Sequence, residues 1–383
     1  MIALFLESAG IPYLANVADC LRQCGFDENE YLAQNADLRT AGHDASSALF
    51  HFLVYGLDED RQGPFAPLPD GLSAVRSLEI PNAEYRQRLY RAIFFAQLRN
   101  PATADRLWNT FDAAFIDDLR AMGGIPYYVV GDSHADRYRC RAAFEGEWLA
   151  PLPLICTGGT AIGLARETSR TGYGARILQW AERAAGRPGG LTVPVFLKFG
   201  GLDAEFLWMS RRIEKGLYRF PVDEFCEFAE MSVAKYGGFL EALRDIAGAR
   251  QLRVCSVFPS VLTQADWIAG FIKIFGRSPE YNRQVSEDLS KVSHFPSLRL
   301  RTKYRELYNT LLEQMCKSRN LVFIDDFSPL LGPDGVIDAR YCGVSETKDF
   351  HIGYEASQES LVRIIRSNLR PDGIPRPSAS AAS

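Results

Sequence analysis

Tyr127-Tyr128-Val129-Val130-Gly131-Asp132-Ser133-His134 is the stretch that decides the fold. An apolar, β-prone run ends at a glycine and hands over to Asp-Ser-His. Such a run reads as a buried strand of a parallel sheet delivering a serine to the sheet's carboxyl edge, where α/β proteins place their ligands. Gly131 permits the tight turn, and Ser133 then opens a helix whose backbone N–H groups face the site. Taken alone, an Asp-Ser after a strand is also what the N-cap of an ordinary helix looks like.

Four further runs read as strands: Trp148–Ile155, Val193–Phe199, Leu252–Phe258 and Leu321–Ile324. Helical patterns lie between them, over 161–185, 205–217, 223–247, 262–275 and 301–318, while 278–300 reads as irregular. Strands alternating with helices predict an α/β domain, a parallel sheet covered on both faces, over residues 125–368. Before it stand a helical N-terminal region over 1–66, and a linker with helical lead-in over 67–124 that begins in the Pro/Gly-rich run Gly63-Pro-Phe-Ala-Pro-Leu-Pro-Asp-Gly71. After it, residues 369–383 are rich in Pro, Ser and Ala, and a disordered tail is expected.

Bulk properties narrow the function. The chain has 383 residues, 47% of them hydrophobic and 23% charged, with net charge −4. No basic stripe points to nucleic acid. Nothing approaches the roughly 18 uninterrupted apolar residues of a membrane span. The N-terminus lacks the basic region of a signal peptide, so a cytoplasmic location is expected. The eight cysteines are dispersed without a C-x-x-C, and read as reduced, small hydrophobes rather than zinc ligands or a disulfide frame. No P-loop, strand-linked G-x-G-x-x-G or H-E-x-x-H occurs, so neither cofactor nor metal is expected. Asp325 and Asp326 end a strand, but as a lone pair of carboxylates they make a poor metal site.

Three other segments belong with Ser133. Thr157-Gly158-Gly159-Thr160 follows the second strand, where a glycine lets a backbone N–H approach a ligand. Gly200-Gly201-Leu202-Asp203 follows the third. Asp349-Phe350-His351 lies beyond the last strand. A serine after an early strand with Asp and His near the domain's end outlines a nucleophile, a base and an orienting carboxylate.

Together these blocks resemble the SGNH (GDSL-like) hydrolase superfamily over about residues 125–365, and most of all the subgroup reading Gly-Asp-Ser-His in the first block and Gly-x-x-Asp in the third. The resemblance implies a flavodoxin-like three-layer fold and ester or acyl-transfer chemistry, often on acetylated carbohydrates. Carried over, Ser133 would be the nucleophile, His351 the general base and Asp349 its orienting carboxylate. The backbone N–H groups of Ser133 and Gly159 would hold the oxyanion, with Gly158 the neighbouring alternative. Gly201, Asp203 and His134 would complete the oxyanion and substrate side.

Two departures stand out. The superfamily's third block normally carries Asn, whose amide donates to the oxyanion; the ionised carboxylate of Asp203 only accepts. Either Asp203 is protonated, or it orients something else, or the hole has two donors. The last block reads Asp-x-His rather than the commoner Asp-x-x-His, a spacing that resembles the alginate-type polysaccharide acetyltransferases. His134 either contacts substrate or packs at the first turn after Ser133. The expected function is a serine esterase or O-acyltransferase on a small-molecule or glycan ester. The alternative is a non-catalytic SGNH-like protein that binds a glycan or a partner. The oligomeric state is open.

Residues 26–66 carry a second resemblance. Tyr31-Leu-x-x-Asn35-Ala-Asp37, Ala41-Gly42, His51-Phe-Leu and Gly56-x-x-x-Asp60-Arg61 are similar to a small helical module of bacterial surface and polysaccharide-related proteins, with Ala36 and Asp60 replacing its usual Pro and Gly.

Overall fold

The computed structural model describes residues 13–23, 25–59, 61, 63–64, 78–99, 113–144, 146–166, 168–169, 171–186, 191–292, 295–342 and 350–369. Residues 1–12, most of the Pro/Gly-rich linker, Asp349 and the C-terminal tail lie outside them. The chain divides into two compact units, residues 1–126 with 141–150, and residues 127–140 with 151–383.

The described part of the first unit begins with α1 (Tyr13–Gln23), α2 (Glu28–Gln34), α3 (Ala36–Thr40) and α4 (Ala45–His51). A π-helical turn over Phe52–Gly56 extends α4. Asp27 caps α2 by accepting from the Asn29 and Glu30 N–H groups, and Asp44 caps α4 in a reciprocal box with Ser47. Arg61 grips Asp37 through both carboxylate oxygens at 3.0 and 2.7 Å and donates to Asn35 Oδ1 at 3.1 Å. Tyr31 Oη meets His51 Nδ1 at 3.1 Å in the interior. Helices α5 (Ala83–Arg99) and α6 (Ala113–Ala121) follow.

Six strands form one sheet: β1 (Gly124–Gly131), β2 (Ala143–Phe144), β3 (Glu147–Ile155), β4 (Val195–Lys198), β5 (Leu252–Cys255) and β6 (Val322–Ile324). Their order is β2-β3-β1-β4-β5-β6. The pairs β1–β4, β4–β5 and β5–β6 are parallel. The Trp148 N–H meets Gly123 O and the Cys156 N–H meets Gly131 O, so β3 also runs parallel to β1. Setting aside β2, the five parallel strands have the order 2-1-3-4-5 of a doubly wound sheet with its switch point beside the first strand. The two-residue β2 is antiparallel to β3 and was not foreseen from sequence; it is too short to carry an alternating pattern.

Helices of the second unit include α7 (Tyr173–Ala185), α8 (Val222–Ala247), α9 (Gln264–Phe275), α10 (Pro279–Ser290), α11 (Leu298–Ser318) and α12 (Tyr354–Leu369), with a short helix at Trp208–Ile213 after a π-helical turn over Asp203–Leu207. Helix α8 buries Phe225, Ala229, Val233, Tyr236, Leu240, Leu243 and Ala247, an i, i+3/i+4 stripe that packs on α7 and α11. Helix α10 corrects the expectation of irregular chain over 278–300. Ser278 caps it by accepting from the Tyr281 N–H at 3.2 Å, and Pro279 fits its first turn, where no N–H is needed. The helix expected over 161–185 is two pieces, a single turn at Ala161–Leu164 and then α7. Among the described residues no helix is long and apolar enough to cross a membrane.

Candidate active site

Strand β1 is buried over Tyr127–Val130 and delivers Ser133 to the carboxyl edge of the sheet. The helix expected to open at Ser133 is instead a 3-10 turn over Ser133–Tyr138. Asp132 caps it, its Oδ1 accepting from the His134 N–H at 2.9 Å. The far end is claimed by side chains: Tyr127 Oη donates to the Tyr138 carbonyl at 2.7 Å, taking an acceptor that a continuing helix would use.

His351 reaches this turn from across the sequence. Its Nε2 lies 2.7 Å from Ser133 Oγ, the distance at which an imidazole takes a hydroxyl proton. The segment behind it is stitched to the serine turn. Arg137 Nε donates to the Ile352 carbonyl at 2.8 Å. From α12, Tyr354 Oη donates to the Arg139 carbonyl at 2.8 Å and Gln358 Nε2 to the Arg137 carbonyl at 3.2 Å. The Gly353 N–H also donates to the Tyr341 carbonyl at 2.7 Å. His351 and Ser133 are thus carried by two backbones that hold each other.

His134 is buried and lines the back of this pair. Its Nδ1 lies 3.0 Å from Asp132 Oδ1, and its ring stands 4.7 Å from that of His351, centroid to centroid. Phe350 and Phe258 flank it. Burial pushes the His134 imidazole down to about 4, so it is neutral at pH 7 with its proton on the nitrogen facing Asp132. Gly201 makes room for the ring: a Cβ there would stand 2.9 Å from Nδ1 and 3.0 Å from Cε1. Gly201 therefore bears on the site through His134.

The loop after β3 holds the glycines. The Gly159 N–H donates to the Cys156 carbonyl at 2.7 Å, so its turn already engages it. Gly158 has φ +73°, and a Cβ there would meet nothing within 4 Å. Among the described residues, no group accepts from the Gly158 N–H or the Ser133 N–H. Asp203 is fully buried and holds this loop from behind. It accepts from the Ala161 N–H at 2.7 Å, the Ile162 N–H at 3.2 Å and Ser232 Oγ at 3.3 Å. Burial pushes its carboxyl up to about 6, against the pull of those N–H donors. Asp203 thus orients the chain that follows the Gly158–Gly159 turn.

A buried network beneath the serine turn went unrecognised in the sequence. Lys198, at the end of β4, places Nζ 2.6 Å from Asp326 Oδ2, with both side chains almost wholly enclosed. Tyr138 Oη and Ser256 Oγ also donate to Asp326, and Nζ donates to the Ser256 carbonyl. The ammonium sits 3.3 Å from the centre of the Phe258 ring. Burial depresses the Lys198 pKa, and the Asp326 carboxylate opposes that shift. A second buried cluster joins Glu205 to Arg305 and Arg301 and receives Ser260 Oγ at 3.0 Å. A lysine inside Phe196-Leu-Lys-Phe199 and an aspartate closing Ile324-Asp-Asp326 are the sequence signals: charges at strand ends in otherwise apolar runs.

No family model matches the chain, and no curated protein matches it. Among solved structures, the lipase Lip_vut3 from a goat rumen metagenome is similar at 14% identity and a TM-score of 0.35, covering 63% of this chain and 96% of that one. A GDSL-like lipase from Bacteroides thetaiotaomicron is similar at 12% identity and a TM-score of 0.33, covering 69% of this chain and 96% of that one.

Proposed function

We propose that the protein is a serine-dependent ester hydrolase or O-acyltransferase of SGNH type, with a flavodoxin-like three-layer core, acting on a carbohydrate or glycan-linked ester. The observation that carries this reading is the 2.7 Å contact between Ser133 Oγ and His351 Nε2 at the carboxyl end of the first core strand. The 2-1-3-4-5 order of the parallel strands supports the fold part of it.

In this reading Ser133 Oγ attacks the ester carbonyl as His351 Nε2 takes its proton. The N–H groups of Ser133 and Gly158 hold the resulting oxyanion. Gly158 takes the place first given to Gly159, because the Gly159 N–H already has an acceptor. Collapse breaks the C–O bond, and His351 returns the proton to the departing alkoxide. Water or a sugar hydroxyl then repeats the sequence on the acyl-enzyme. Asp349, two residues before His351, is the proposed orienting carboxylate. Asp203 fixes the oxyanion loop through Ala161 and Ile162, so a carboxylate serves where a side-chain donor to the oxyanion would not be needed.

Labelling of the full chain with a fluorophosphonate probe tests this reading. Wild type labels, while Ser133→Ala and His351→Ala lose labelling although each remains folded by circular dichroism. A folded wild type that does not label, or labelling that persists in Ser133→Ala, overturns it.

A further inference from the structure

Asp132 and His134 bracket Ser133 in the chain, and the chemistry proposed above uses neither. Both side chains are almost wholly enclosed. Capping the serine turn accounts for one bond, the His134 N–H on Asp132 Oδ1. It does not call for an imidazole at position 134. A phenylalanine would suit the aromatic surroundings of Phe258 and Phe350 without burying two ring nitrogens.

Two atoms of the pair are left over. Asp132 Oδ2 and His134 Nε2 are buried and have no hydrogen-bond partner among the described residues. Orphaned polar atoms in a core call for a reason other than stability. The place of the ring supplies one, since it stands 4.7 Å from that of His351 and is tilted 54° to it. Burial works against charge on Asp132, but the His134 donors and the Lys198 ammonium hold its carboxyl below the usual carboxylate range. An anion is thus kept on Nδ1 of a neutral imidazole. It fixes the proton on that nitrogen and makes the rest of the ring electron-rich. That ring lies against the imidazole that becomes positive when Ser133 gives up its proton. Attraction between them is weakly screened in so enclosed a setting. Among the described residues, the other titratable groups that act on the pair are Lys198 at the end of β4, Asp203 after it, Tyr236 on α8, and Arg305 and Tyr308 on α11.

We propose that Asp132 and His134 are positioning residues for His351: the carboxylate, acting through the neutral imidazole, steadies the His351 ring and raises its affinity for the Ser133 proton. The role is separate from the one proposed for Asp349. It rests on the esterase reading, in which His351 is the base.

NMR of the full chain with isotope-labelled histidine tests the pair, with the pH titration of His351 followed in wild type, Asp132→Asn, His134→Asn and the double variant. The signals are assigned with His351→Ala and His134→Asn. In wild type, His134 is expected to keep its neutral, Nδ1-protonated form throughout the range in which His351 titrates. Asp132→Asn keeps a side-chain oxygen for the cap and removes the charge. A nearby anion favours the imidazolium, so its loss is expected to lower the His351 midpoint by roughly half to one unit. His134→Asn keeps an amide donor for Asp132 and removes the ring, and is expected to lower the midpoint similarly. The double variant goes no further, because the two residues act in series. A merely structural pair would leave the midpoint in place. A midpoint unmoved in Asp132→Asn, a double variant that shifts by the sum, or a His134 that charges together with His351 overturns the proposal. Should one variant not fold, the other and the wild-type His134 signal decide. Fluorophosphonate labelling is read separately: a wild type that does not label ends the esterase reading, while the His351 midpoints decide the role of the pair.

Discussion

Asp203 is a carboxyl group held where charge is disfavoured. Its carboxyl stands at about 6 against an ordinary 3.8, with burial as the first cause. Between those values the folded protein keeps a proton that the unfolded chain releases, so stability falls as pH rises through about 4 to 6. The shift corresponds to at most about 3 kcal/mol, at about 1.4 kcal/mol per unit. Urea denaturation of wild type and Asp203→Asn between pH 4 and 7 checks this: the difference between their profiles carries the slope, and parallel profiles refute it. Gly201 gives a second prediction. Gly201→Ala pushes a methyl to within 3 Å of the His134 ring and is expected to destabilise by about 1–3 kcal/mol. It is also expected to slow fluorophosphonate labelling, because His134 stands against His351. At this scale the sequence spoke clearly where chemistry needs a residue type. Ser133 and His351, 218 positions apart, were paired by their types and places, and they meet. It was silent where a side chain serves the backbone. Nothing in Gly-Gly-Leu-Asp says that Asp203 faces the N–H groups of Ala161 and Ile162, some 40 residues earlier.

Elements bring charges together as well as apolar faces. The ends of β4, β5 and β6 converge on Lys198, Ser256 and Asp326, with Tyr138 tying the serine turn to them. Removing one member leaves an unbalanced buried charge, so Lys198→Met is expected to lose about 3–5 kcal/mol of stability. Adding Asp326→Asn restores neutrality while keeping a carbonyl for Tyr138 or Ser256, and the double variant is expected to recover much of the loss. Chemical denaturation of the two variants measures it; a double variant less stable than Lys198→Met would contradict the account. The five parallel strands were legible from apolar runs closed by Gly, Ser or Asp. Helix α10 was not, because its mixed composition hid the Ser278-Pro279 start signal. The turn at Ser133 read as a helix because its cap is a helix cap. The Tyr127 hydroxyl on the Tyr138 carbonyl marks where it stops.

On the scale of the molecule, the first unit is held by the residues of its own sequence signature. Arg61 donates to both Asn35 and Asp37. Gly56 presses on Tyr31, whose hydroxyl a Cβ would approach to 2.6 Å. Gly56→Ala is therefore expected to cost about 1–3 kcal/mol, read as a lower midpoint in chemical denaturation. An unchanged midpoint would separate the signature from stability. Composition and strand pattern suggested a division of the chain near residue 125. Neither suggested that Arg141–Ala150 groups with the first unit, since sequence distance says nothing about a segment that leaves one unit and returns.

The joining of Ser133 to His351 also has a tempo. Ribosomes add about 5–20 residues per second, so the 218 positions between the two take roughly ten to forty seconds to synthesise. Throughout that interval the nascent chain carries Ser133 without His351 beside it. The contact between the two is withheld until α12 docks on the serine turn, which makes the finished fold a condition for the pair to meet.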